Sequence, residues 1–328
     1  MKAIVIDQAG GGTLRVEEVP DPAPSATQLL VVVHAAGVNR ADLSQRAGRY
    51  RHSTVVTDAR QRPIAGLELA GVVVAVGADV RGFAPGDRVM ALAGGAYAEL
   101  AVVEEALALP VPSAVGDHEA AAVPVAFMTA HDALVTHGLL EPGSDVLITA
   151  AASVVGLAAV QIARLRGARR IFGTARSPRH ADRLNRAGLT DLLDQADVSG
   201  PVLAGTAGLG VPLSVDHVGG PLLAPCLAAT AVAGRYVSVG RLAGTSSTLD
   251  LDALAKRRQS IIGVSFRTRS TADTGRVAAR MHEDLGPALA GGDLRPVLDR
   301  VFPMAQIDRA HEYLVHGQPF GKVVLTTC

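Results

Sequence analysis

Val146-Leu147-Ile148-Thr149-Ala150-Ala151-Ala152-Ser153-Val154-Val155-Gly156-Leu157-Ala158-Ala159-Val160-Gln161-Ile162-Ala163 is the stretch on which the fold turns. A short apolar run with the look of a buried strand leads into small residues. These pass directly into a helical pattern over 155–166. Small side chains at such a junction let a pyrophosphate approach the backbone, where N–H groups and the helix dipole stabilise its charge. Ala152, Ser153, Val154, Val155 and Gly156 are therefore candidate cofactor contacts. The usual pattern has glycines at the tight positions; here Gly156 remains, with Ala150 and Ser153 at the earlier ones. Taken by itself, the segment also reads as a small-residue helix packed on a sheet.

Context comes from the next strand pattern, 171–174. In a dinucleotide fold the end of that strand reads the adenosine ribose: an acid there suits NAD, whereas a 2′-phosphate wants positive charge and hydroxyls. The segment reads Gly173-Thr174-Ala175-Arg176-Ser177-Pro178, with Arg179 and His180 beyond, and it carries no acid. Thr174, Arg176, Ser177 and His180 thus point to NADPH, against the alternative of a solvated arginine on a loop. Further strand patterns at 213–216, 235–239 and 261–264 alternate with helical stretches such as 178–187. They predict a parallel, doubly wound sheet.

The pattern before this region is different. Short Val/Ile/Leu runs at 29–33, 72–76, 88–92 and 97–103 are cut by turn signals such as Ala84-Pro85-Gly86-Asp87. They leave no room for crossover helices, so mostly antiparallel pairing in a barrel-like or sandwich domain is expected. An Ala-rich helix is predicted over 119–134. After residue 267 come one helical stretch, 275–285, and a terminal strand, 321–325. This tail is too small to fold alone and is expected to return to the first domain. The assignment is 1–122 completed by 267–328, with 123–266 between.

The chain has 328 residues, of which 48% are hydrophobic and 19% charged, enough for two cores. Lys+Arg and Asp+Glu are both 31, so no global basic field favours nucleic acid or an anionic membrane. Aromatic residues are 3% and Trp is absent, against base-stacking platforms. The apolar start Met1 to Ile6 is too short for a signal-peptide core, and no apolar run reaches the ~18 residues of a membrane span. A cytoplasmic location is the expectation. The two cysteines, Cys226 and Cys328, allow neither a disulfide framework nor a thiolate cluster.

Several motifs in order resemble the zinc-independent quinone oxidoreductases of the medium-chain dehydrogenase/reductase superfamily (the zeta-crystallin-like group). They are Ala36-Gly37-Val38-Asn39-Arg40-Ala41-Asp42-Leu43, Gly66-Leu67-Glu68-Leu69-Ala70-Gly71, Pro85-Gly86-Asp87-Arg88-Val89, Gly95-Ala96-Tyr97-Ala98-Glu99, Phe127-Met128-Thr129-Ala130 and Phe320-Gly321-Lys322-Val323-Val324. The resemblance covers nearly the whole chain. It implies an α/β protein with a GroES-like β-barrel catalytic domain, a Rossmann cofactor domain, a cleft between them, NADPH, and a homodimer formed through the Rossmann sheet edge.

The resemblance also bears on metal. Zinc alcohol dehydrogenases of the superfamily carry a Cys and a Gly-His-Glu segment where this chain has Asn39 and Gly66-Leu67-Glu68. With thiolate and imidazole both missing, a carboxylate alone does not hold catalytic zinc, and no metal is expected. Histidines such as His34, His118 and His131 show no ligand spacing and read as surface or partly buried residues. Metal-free hydride transfer from NADPH to a quinone or an enone is the implied reaction. The alternatives are a dedicated enoyl or enone reductase of a natural-product pathway and a nucleotide-binding scaffold without turnover.

By resemblance, Asn39 lies at the nicotinamide end, Thr129 and Lys322 contact cofactor, and Val239, Gly240 and Phe266 approach the nicotinamide. Tyr50 lines the substrate site, as proton donor or simple wall. Two departures stand out. The segment 50–63, with Arg51, Arg60, Arg62 and the neighbouring Arg49, is longer and more basic than the family's loop; it reads either as a recognition loop for acidic substrates or as a solvated insertion. A tyrosine often found after the third strand is absent around Asp194-Gln195-Ala196.

Overall fold

The computed structural model describes residues 1–49, 57–58 and 62–327. Tyr50, Arg51, Arg60 and Cys328 fall outside them. The chain divides into two compact units, residues 1–128 with 266–328, and residues 129–265.

The first unit is built on strands β1 (Lys2–Asp7), β2 (Thr13–Glu18), β3 (Gln28–Val38), β4 (Glu68–Val76), β5 (Arg88–Leu92), β6 (Leu100–Glu104) and β7 (Ala108–Pro110). β3 alternates at first: Leu29, Val31 and Val33 are buried while Leu30, Val32 and His34 are half-exposed, the period of a strand with one covered face. From Ala35 to Val38 every residue is buried. Its first half pairs β6 and most of its length pairs β4, both antiparallel, so β3 is the spine of the unit. Leu69, Val89, Tyr97 and Val103 complete its core.

The second unit is a parallel six-stranded sheet of β8 (Asp145–Ile148), β9 (Arg170–Thr174), β10 (Asp191–Leu193), β11 (Val211–Asp216), β12 (Thr230–Ser238) and β13 (Ser260–Gly263). Its order is β10-β9-β8-β11-β12-β13. Strand order reverses between β8 and β11, the switch point at which a doubly wound sheet takes its ligand, beyond the carboxyl ends of its strands.

The tail contributes β14 (Leu298–Pro303) and β15 (Lys322–Thr326) to the first unit. β15 pairs antiparallel with Ala35–Val38 of β3, and β14 lies parallel beside β15. The helix predicted over 119–134 is interrupted: Asp117–Ala120 is a separate short turn, Pro124 starts the helix Pro124–His131, and a wider π-type stretch follows over Asp132–His137. Pro124 lacks the N–H that an uninterrupted helix would need, which is why the break falls there. His131, read as a surface or partly buried residue, is fully buried. Among the described residues no helix is long and apolar enough to cross a membrane.

Candidate active site

In the first unit the site residues gather around Asn39. It caps the helix Arg40–Arg46, and its N–H donates to Asp42 Oδ2 at 2.6 Å. The Asn39 amide is fully oriented. Its Oδ1 accepts from Lys322 Nζ at 2.6 Å, and its Nδ2 donates to Glu68 Oε1 at 2.8 Å and to the Gly37 carbonyl at 3.3 Å. An ammonium has only donors, so Lys322 fixes which end of the amide is oxygen. What Asn39 has left is an acceptor lone pair on Oδ1.

Lys322 and Glu68 are both buried and form an ion pair; the other Glu68 oxygen accepts the Val125 N–H at 2.8 Å. Each charge is matched and hydrogen-bonded, which is what makes a buried pair tolerable. Asp42 is buried beneath this layer and also accepts from Tyr97 Oη at 2.7 Å. Burial pushes its carboxyl up to about 7 against the pull of these hydrogen bonds. Glu68, which stands where the resemblance sets a metal-site segment, is thus committed to a lysine.

In the second unit the turn after β8 is tight. Ala150 has φ +48°, a left-handed backbone that favours glycine. Thr174, buried at the end of β9, holds it there: its Oγ1 accepts the Ala150 N–H at 3.1 Å and its carbonyl the Ala151 N–H at 2.8 Å. Ser153 then caps the helix Val154–Leu165 by accepting the Gly156 N–H at 3.1 Å. A Cβ at Gly156 would lie 2.2 Å from the Ala150 carbonyl oxygen, so the helix starts this close to the strand only with glycine there. Ala152, Ser153, Val154 and Val155 line this start and are half-exposed. Beyond β9, Arg176 is exposed, Ser177 Oγ accepts the Arg179 N–H at 3.3 Å, and Arg179 Nε meets His180 Nε2 at 2.9 Å.

The switch point is organised by Asp216, the fully buried last residue of β11. It accepts from Thr149 Oγ1 at 2.6 Å, Val218 N–H at 2.9 Å, Gly219 N–H at 3.0 Å and Tyr236 Oη. One carboxylate thereby joins the ends of β8, β11 and β12. Its carbonyl takes the N–H groups of Val239 and Gly240 at 2.8 and 3.0 Å. A Cβ at Gly240 would lie 2.0 Å from the His217 carbonyl oxygen, so the two loops touch backbone to backbone. His217 is buried. Its Nδ1 lies 2.9 Å from the Thr149 carbonyl, and its Nε2 has no hydrogen-bond partner.

Thr129 is half-buried in the helix Pro124–His131, and Phe266 lies under the Arg269 guanidinium at 4.8 Å. Tyr50 lies outside the described residues. Of the basic segment 50–63, read either as a recognition loop or as a solvated insertion, Arg62 lies among the described residues. It makes paired hydrogen bonds to Glu17 at 3.0 and 2.6 Å and to Asp58 at 2.9 and 2.7 Å, which neutralise it within the protein. Sequence reading also left Asp216, His217 and Tyr236 unassigned. An acid ending an apolar strand pattern, with a histidine next to it, was the available signal.

These features fit a dinucleotide: a small-residue turn into a helix N-terminus, cationic groups beyond β9, and an unmet buried acceptor at the switch point. Comparisons with known proteins agree. The alcohol dehydrogenase GroES-like domain signature matches residues 25–113, and the family described as zinc-binding dehydrogenase matches 154–282. Human quinone oxidoreductase is 29% identical, over 99% of this chain and 97% of that protein. A mycobacterial quinone oxidoreductase structure is 30% identical, covers 99% of each chain and superposes with a TM-score of 0.86.

The chain belongs to the zinc-independent quinone oxidoreductase-like family of medium-chain dehydrogenases/reductases. It is an NAD(P)-dependent oxidoreductase with a GroES-like domain and a Rossmann-like parallel sheet. The spectinabilin polyketide synthase system protein NorB of Streptomyces orinoci is 38% identical over 97% of this chain, which spans only 14% of that much longer protein. A mycobacterial structure complexed with NADPH is 29% identical, covers 99% of this chain and all of its own, and has a TM-score of 0.86. The structure of an NAD-dependent alcohol dehydrogenase is 31% identical, with full coverage of both chains and a TM-score of 0.84.

Proposed function

We propose that the protein is an NADPH-dependent, metal-free reductase of electron-poor acceptors, a quinone or a C=C bond conjugated to a carbonyl. The observation that carries the cofactor choice is the end of β9, where exposed Arg176 and half-exposed Ser177 stand in a segment without an acid. NADPH supplies a hydride when bound; the chain's residues hold and orient. The Ser153 turn and helix start receive the pyrophosphate, Arg176 the 2′-phosphate, and Asn39 offers a fixed acceptor on Oδ1 at the nicotinamide end. Reduction of an enone then takes a hydride at carbon and a proton from solvent or from Tyr50. The Lys322–Glu68 pair supports the metal-free reading, since the carboxylate where the resemblance sets a metal-site segment already has its cation.

The 38% identity to NorB favours a second reading of the acceptor, an enone or enoyl thioester of a biosynthetic pathway. Titration of NADPH and NADH against the native chain and Arg176→Ala tests the cofactor. Loss of a charge-assisted phosphate contact worth ~1.5–3 kcal/mol should weaken NADPH binding at least tenfold while leaving NADH nearly unchanged. Equal effects on both would show that Arg176 does not read the phosphate. A panel of quinones and enones, ranked by kcat/KM, separates the two acceptor classes.

A further inference from the structure

We propose that His217 is a cofactor-positioning residue whose Nε2 lone pair accepts a hydrogen bond from the nicotinamide-ribose half of the dinucleotide. The inference deepens the proposed function and rests on it.

The tautomer is settled by geometry. The partner of Nδ1 is the Thr149 carbonyl, at 2.9 Å, and a carbonyl only accepts. Nδ1 therefore carries the proton, and in the neutral ring Nε2 is an acceptor. Burial pushes the imidazole below its ordinary range, which keeps the ring neutral and that lone pair available. The ring is held from both sides of Thr149: Nδ1–H donates to the Thr149 carbonyl, while the backbone N–H of His217 donates to Thr149 Oγ1 at 2.8 Å and Thr149 is tied in turn to Asp216. His217 is only 5% exposed, yet Nε2 has no hydrogen-bond partner. A buried acceptor left unmet is costly and calls for a donor.

The position says which donor. His217 is the first residue after β11, and β8 and β11 flank the switch point. A dinucleotide lies across such a crevice with one nucleotide on each half of the sheet. The pyrophosphate turn follows β8, and the candidate phosphate reader, Arg176, follows β9, so the adenosine half belongs to the β8–β10 side. The β11–β13 side is left for the nicotinamide nucleoside. Its donors are the ribose hydroxyls and the carboxamide N–H. Asp216, the other polar side chain at this strand end, already accepts four hydrogen bonds and leaves His217 as the unmet acceptor.

Two variants separate a ligand contact from a structural one. In His217→Asn the side-chain amide can still donate to the Thr149 carbonyl but does not reach the place of Nε2. His217→Phe loses both functions. The inference predicts that His217→Asn binds NADPH about tenfold more weakly, in a titration of cofactor fluorescence, with Tm unchanged. It also predicts that the Nε2 nitrogen-15 resonance of the native chain shifts when NADP binds. An NADPH analogue with acetyl in place of carboxamide identifies the donor: an equal loss assigns the ribose, and no loss assigns the amide. Native-like binding by His217→Asn with an unmoved Nε2 resonance would overturn the inference and assign Nε2 to an internal water. A native chain that binds neither NADPH nor NADH would overturn the dinucleotide reading as well.

Discussion

Ala150 holds a left-handed backbone at the turn where dinucleotide folds ordinarily place glycine. An alanine there costs about 1–2 kcal/mol, and Thr174 supplies the hydrogen bonds that keep it in place. Replacing Ala150 by glycine removes the clash but gives the unfolded chain more freedom, so Ala150→Gly should raise stability by about 0.5–1 kcal/mol in urea denaturation. A loss would show that the alanine methyl packs favourably enough to outweigh its strain. Lys322 is the opposite case, a residue whose removal leaves a charge stranded. Lys322→Met should cost about 3–5 kcal/mol, because Glu68 stays buried without its cation, and adding Glu68→Gln should recover much of the loss. Absence of that recovery would contradict the paired-charge reading. Asp42 makes stability depend on pH. Its folded carboxyl titrates at about 7 against an ordinary 3.8, so the folded chain binds the extra proton and this stabilisation is lost as pH rises through about 7. His311, pushed by burial from 6.5 to about 4, contributes stability that is lost as pH falls through that interval. The two slopes oppose each other between them. Asp42→Asn should remove the first and leave a stability that rises with pH from about 4 to about 6.5; a profile parallel to the native one would refute the assignment.

At the scale of elements, the two units use different pairings to position their sites. β15 brings Lys322 to Asn39 across 283 residues of sequence, because it pairs with the fully buried half of β3. The parallel sheet aligns the ends of β8, β9 and β11, so turns distant in sequence share one edge. The tight turn between β8 and the helix Val154–Leu165 was legible because it is contiguous: strand, small residues and helix follow one another within 146–163. The exposed cationic segment after β9 was legible for the same reason. The Asn39–Glu68–Lys322 group was only partly so; each residue stood in a recognisable motif, but no local pattern says that an ammonium orients an amide. Of the Asp216 junction only the acid ending the 213–216 strand pattern was legible; its partners were not, since Thr149 and Tyr236 reach it from other strands. Among the elements, the three-residue β10 and the charged, largely exposed β14 carry too little apolar periodicity to be found. The helix over 119–134 failed at Pro124, a local signal outweighed by the alanines around it. Arg62 carries a similar lesson: its charge stood in the sequence, and its two carboxylate partners did not.

For the whole molecule, the family and the fold are established, and the choice of NADPH and the acceptor are the proposed parts. Quinone and enone reduction make the same demands on the chain, a held cofactor and an electron-poor acceptor, and neither requires a metal. Human quinone oxidoreductase, 29% identical to this chain, is named for one of these acceptors. The most direct test is a single turnover. The chain, loaded with NADPH deuterated at the transferable position and kept in a strong chelator, is mixed in a stopped-flow instrument with a quinone and, separately, an enone. The account predicts rapid loss of nicotinamide fluorescence with at least one acceptor, unaffected by the chelator, with deuterium recovered in the reduced enone. Tight NADPH binding without oxidation by either class, or turnover that disappears with chelation, would contradict it.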